Sequence, residues 1–117
     1  MRVLVAFEDE YRGLRESIAF VFGAVRPGDE LEVADLGTLR RRAAGFDPHL
    51  VIASIPNVVA PGGMAAWVAL SPDPHRPSRV CVGGRQWQVL NPSMEDLLSI
   101  AEEAEGLVRD ERHFRAC

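Results

Sequence analysis

Apolar and polar positions change period several times along the chain, and each change predicts an element. Val3 to Phe7 is an unbroken apolar run of strand length. Such a run predicts a strand buried on both faces, as in a parallel sheet. Glu8, Asp9 and Glu10 follow at once. Leu14, Ile18, Val21, Phe22 and Val25 then recur at spacings of three and four, which predicts a helix over 11–25. Arg26-Pro27-Gly28-Asp29 ends it in a turn. Glu30 to Ala34 alternates, so a strand with one wet face is expected nearer a sheet edge. A short helix is expected over 39–44, with Thr38 as its cap and Gly45 at its end. Leu50 to Ile55 is the most apolar run and predicts a central strand.

This β-α-β-α-β order is the wiring of a doubly wound, right-handed parallel sheet. After Pro56 the pattern becomes irregular. Residues 56–78 hold five prolines (56, 61, 72, 74 and 77) and the pair Gly62-Gly63, so no long helix fits. Ala65 to Leu70 is a short helix or an extra strand, and its turn-rich flanks favour the strand. Arg79 to Val82 and Trp87 to Leu90 are strands separated by Gly83-Gly84-Arg85-Gln86. Four residues cannot hold a crossover helix, so the two strands pair as a hairpin or sit apart on a tight link. Ser93 and Asp96 have capping-box spacing at the start of a last helix, whose apolar face is Leu97, Ala101, Ala104 and Val108.

Composition narrows the function classes. The chain has 117 residues, a size for one domain, expected over 1–109 with a charged tail over 110–117. A net charge of −4 and the lack of a helix-turn-helix pattern argue against direct nucleic-acid binding. No window approaches the roughly 18 apolar residues of a membrane span, so no membrane partner is expected. All 13 basic residues are arginine, which removes Schiff-base and phosphate-loop lysine chemistry. The start of the chain runs straight into a strand pattern without a visible signal peptide, so a cytoplasmic location is expected. Cys81 lies in an apolar run and Cys117 at the last position. A disulfide between them is not expected, and Cys81 reads as a small buried hydrophobe. His49, His75 and His113 are scattered without metal-ligand spacing.

Three segments resemble the receiver domain of two-component response regulators. Val3-Leu4-Val5-Ala6-Phe7-Glu8-Asp9-Glu10 resembles the first strand and its acidic pair, with Glu8 and Asp9 as the best match. Asp47-Pro48-His49-Leu50-Val51-Ile52-Ala53-Ser54-Ile55-Pro56 resembles the run into the phosphoacceptor. Leu90-Asn91-Pro92-Ser93 with Leu97-Leu98 resembles the last strand, its Lys-Pro dipeptide and the last helix. The likeness is good over 1–56, poor over 57–86 and fair over 87–108. It implies a flavodoxin-like, three-layer α/β fold with a mostly parallel central sheet. The second half would be strand-rich and irregular, and would lack the fourth helix.

The departures decide the expected function. In a receiver an aspartate accepts the phosphoryl group, an acidic pair holds Mg²⁺, and a Ser/Thr and a Lys grip the phosphoryl oxygens. Here the acceptor position holds Ser54, the hydroxyl position falls at Gly83 or Gly84, and the lysine position is Asn91. The resemblance therefore implies a degenerate receiver: not an enzyme, not phosphorylated, needing no cofactor. It would act through a protein partner or a second copy of itself. Val58, Val59, Met64, Trp67, Val68 and Leu70 are the candidate interface of a homodimer. No metal is expected beyond weak binding at Glu8 and Asp9, since two adjacent carboxylates make a poor Mg²⁺ site. The competing expectation is a small-ligand or anion site, possibly enzymatic, at the carboxyl edge of the sheet. Glu8, Asp9, Ser54, Asn57, Gly83, Gly84 and Asn91 would converge there.

Overall fold

The computed structural model describes residues 1–54, 64–110 and 116–117. Six strands form one sheet: β1 (Arg2–Phe7), β2 (Glu30–Asp35), β3 (Leu50–Ala53), β4 (Ala66–Ala69), β5 (Pro77–Val82) and β6 (Arg85–Leu90). Three helices accompany them: α1 (Arg12–Val25), α2 (Leu39–Phe46) and α3 (Met94–Arg109). The spatial order is β2-β1-β3-β4-β5-β6. The first four strands run parallel; β5 and β6 are each antiparallel to the strand before them. The fold is thus α/β with a mixed sheet, and the expected strand at 65–70 is β4, parallel to β3.

Unbroken apolar runs become central strands because both faces of the sheet are covered. Val3, Val5, Phe7, Leu50 and Ile52 pack with Ile18 and Phe22 of α1 and with Leu97, Ile100 and Ala104 of α3. Leu4, Ala6, Val51 and Ala53 face the other way, against Leu39 and Ala43 of α2. Burial of side chains this size contributes roughly 1.5–3 kcal/mol each, so the β1–β3 pair anchors the molecule. Arg26, at the end of α1, bridges Asp29 before β2 and Glu105 on α3, joining three elements on one face.

Local chemistry sets the element ends. Ser93 and Asp96 form the full capping box at the start of α3, with Asp96 N donating to Ser93 Oγ at 3.1 Å and Ser93 N to Asp96 Oδ2 at 2.8 Å. Gly83 and Gly84 have φ of 58° and 80°, the left-handed pair that a two-residue turn between β5 and β6 requires. They therefore close a hairpin. Two expectations are corrected at α2. Thr38 stands at its N-cap position but makes no side-chain capping bond; its hydroxyl donates to Asp35 O at 2.9 Å instead. Gly45 does not end it; the helix runs to Phe46 and closes on Asp47, whose φ of 51° reverses the chain.

Cys81 is fully buried, as expected, but the expectation of no disulfide is overturned. Cys81 and Cys117 are joined by a disulfide across a sequence separation of 36. Cys117 N donates to Met64 O at 3.0 Å, which brings the last residue to the start of β4, beside β5. The interface expectation also changes. Met64, Val68 and Leu70 are 3%, 1% and 5% exposed, because β4 lies between β3 and β5 with both faces covered. Trp67 is half-buried against the α2-side core. Asn57, Val58 and Val59 lie outside the described residues. No helix among the described residues is long and apolar enough to cross a membrane.

Candidate functional site

Parallel pairing of β1 and β3 places their carboxyl ends side by side, with Ala6 opposite Ala53. Glu8 follows the apolar run Val3 to Phe7 and Ser54 the apolar strand β3, so both emerge at that edge. Ser54 Oγ donates to Glu8 Oε2 at 2.8 Å. The chain leaves β1 by α1 on one face and reaches β3 by α2 on the other. The gap between β1 and β3 is thus the point where strand order reverses, where open α/β sheets present a crevice.

Asp9 does not join Glu8. Its carboxylate is 82% exposed and faces Arg15 Nη2 at 3.5 Å. Arg15 is itself held by Nη1, which donates to Phe7 O at 2.9 Å, and its buried Nε has no partner among the described residues. With Glu8 turned to Ser54 and Asp9 to Arg15, the two carboxylates diverge. Among the described residues no group of three His, Cys, Asp or Glu is arranged for a metal ion.

The remaining wall of the crevice comes from the turn between β4 and β5. Pro72 and Pro74 fix φ at two positions in it, and Pro77 does so at the first residue of β5. Hydrogen bonds fix the rest. Ser71 N donates to the buried Ser78 Oγ at 2.9 Å, Ser71 Oγ to Asp73 O at 3.0 Å, and His75 N to Asp73 Oδ1 at 2.9 Å. Beside this turn is a cleft of about 310 Å³, lined by Tyr11, Ser54, Ser71, Asp73, Arg76 and Arg79 among others. Ala69, opposite Arg79 in the β4–β5 ladder, contributes only a methyl group to the lining and leaves the space open. Arg76 Nε lies 3.7 Å from Asp73 Oδ2 with its side chain 81% exposed, a weak surface pair.

The structure therefore gathers Glu8 and Ser54 and scatters Asp9, Gly83, Gly84 and Asn91. Gly83 and Gly84 lie at the opposite edge, where Gly83 N donates to Ala65 O at 2.9 Å, because β5 runs antiparallel. Asn91 does end a strand at the carboxyl edge, but β6 is three strands from β3, roughly 14 Å away. Tyr11, Ser71, Arg76 and Arg79 belong to the cleft and were not expected. Their signal was the strand at 66–69: once it is parallel to β3, the Ser71-Pro72-Asp73-Pro74 turn must fall on the Ser54 edge.

His49 lies at the amino edge and serves the scaffold. Its Nδ1 accepts from Arg2 N at 2.9 Å. Burial, then the Arg2 guanidinium and the chain's amino group, hold its pKa below 6.5, against weaker opposing pulls from Asp47 and Asp29. Comparison of the chain with protein-family models, with curated proteins and with solved structures gives no match.

Proposed function

We propose that this chain is a non-catalytic, receiver-like recognition module that signals by contact and takes no phosphoryl group at Ser54. The observation that carries this reading is the Ser54–Glu8 hydrogen bond at the reversal point of the sheet. In the receiver reading Ser54 stands at the acceptor position. A serine hydroxyl is a poor nucleophile without a strong base, and here its proton points at a carboxylate whose charge repels an incoming phosphoryl group. The acidic pair that would bring Mg²⁺ is split between Ser54 and Arg15. With β4 as the fourth parallel strand, Ser71 rather than Gly83 or Gly84 takes the family's hydroxyl position. Asn91, at the lysine position, is three strands away from the crevice.

Self-association belongs to the same reading, although Met64, Val68 and Leu70 are spent in the core and Trp67 alone of the described candidates keeps surface. A cytoplasmic location fits the proposal only if the Cys81–Cys117 bond is redox-controlled there, because that compartment keeps ordinary thiols reduced. Incubation with acetyl phosphate and Mg²⁺, followed by intact-mass spectrometry, tests the central claim. An unchanged mass is expected. A stoichiometric gain of one phosphoryl group mapped to Ser54 would overturn it.

A further inference from the structure

The cleft holds chemistry that the receiver reading leaves unused. Arg79 lines it, and its side chain has no hydrogen-bond or ion-pair partner among the described residues. Arg76 lines it too, and among the described residues its guanidinium has only the long, exposed contact with Asp73. Two guanidinium groups at one opening present paired N–H donors in the fork geometry that suits a phosphoryl group. The other polar groups have the opposite character. Ser54 donates its proton to Glu8 and Ser71 donates its own to Asp73 O, so both hydroxyls face the cleft as acceptors. The Asp73 carboxylate adds acceptor capacity beside them. A ligand that satisfies both ends carries an oxyanion at one end and hydroxyl donors at the other. At about 310 Å³ the cleft stands at the small end of ligand sites, which run from roughly 300 to 1,000 Å³.

We propose that this cleft binds a small polyol phosphate, its phosphoryl group on Arg76 and Arg79 and its hydroxyls on Ser54, Ser71 and Asp73. Binding leaves the ligand intact: no bond is made or broken, and Ser54 acts as an acceptor of a hydrogen bond. The inference stands on the cleft alone and survives or fails independently of the receiver reading.

Isothermal titration with ribose 5-phosphate, inorganic phosphate and ribose, at an ionic strength fixed with KCl, is the test. The polyol phosphate is expected to bind saturably and more tightly than inorganic phosphate, and ribose is expected to give no saturable heat. Arg79→Gln and Arg76→Gln change exposed side chains, so both variants should keep the parent circular dichroism. Each is expected to raise the dissociation constant about tenfold or more, the scale of one charge-assisted hydrogen bond. Absence of saturable binding by ribose 5-phosphate overturns the proposal. Equal binding by parent and both variants overturns it too, because the arginines would then play no part. Equal affinity for inorganic phosphate and ribose 5-phosphate removes the polyol end.

Discussion

At the scale of single residues, His49 couples the scaffold to pH. Both ring nitrogens face donors of Arg2: Nδ1 accepts from the backbone N–H at 2.9 Å, and Nε2 lies 3.3 Å from Nη2. The neutral ring accepts at Nδ1 and so carries its proton on Nε2; protonation of Nδ1 removes the acceptor for Arg2 N and adds charge beside the Arg2 guanidinium. The folded pKa lies below 6.5, so the unfolded chain binds the proton first as pH falls. The stabilising contribution is complete above pH 6.5 and is lost as pH falls from there through the folded value. Urea midpoints measured from pH 8 to 5 should decline across that window, and His49→Gln should flatten the decline. An identical slope in the variant would show that other groups carry it. This contact was not legible in the sequence, where His49 is merely one residue ahead of an apolar run. Glu8 was legible because it sits just past an apolar run, whereas Ser54, inside the run 50–55, was singled out by the receiver likeness; the parallel pairing of β1 and β3 brings both to one edge.

At the scale of elements, the disulfide binds β5 to the last residue of the chain. Closing a loop across 36 residues removes conformational freedom from the unfolded chain, by about 4 kcal/mol in the loop-entropy account. Reduction by a phosphine should therefore lower the unfolding free energy by about 2–4 kcal/mol, and Cys117→Ser should reproduce the loss in the absence of reductant. Chemical denaturation of the three samples checks this; a reduced protein as stable as the oxidised one would contradict it. Sequence reasoning found the capping box, and held the hairpin as one of two alternatives, because Ser-x-x-Asp and Gly-Gly act within a few residues. It missed the disulfide because nothing local joins positions 81 and 117. Their meeting depends on the antiparallel turn of β5 and on Cys117 N reaching Met64 O.

At the scale of the whole molecule, both faces of the central sheet are filled, and apolar surface remains at the periphery. Phe20 is 77% exposed on α1, Leu90 62% on β6 and Val25 59% at the end of α1. These positions do not form the 58–70 surface first expected, half of which is core. Light scattering coupled to size exclusion at high protein concentration is expected to show a dimer. A monomer would remove self-association from the proposed function and leave the module to act on a different protein. The sequence was most legible where the sheet is parallel, because buried runs and helical faces alternate there with clear periods. It was least legible where strand direction reverses, since direction is set by long-range pairing and not by the residues of the strand itself.

That reversal has a consequence for how the protein can diversify. A parallel successor to β4 would need a crossover back to the amino edge before it could begin. Because β5 is antiparallel, the chain needs only residues 70–76 and stays at the carboxyl edge throughout. The segment is a rim, not a strut: apart from Leu70 at its start, its side chains lie outside both cores. Exchange of Ser71 to Arg76 for another Pro-punctuated loop would alter what the cleft selects while leaving the strands in place. Selectivity in this architecture is therefore a replaceable part.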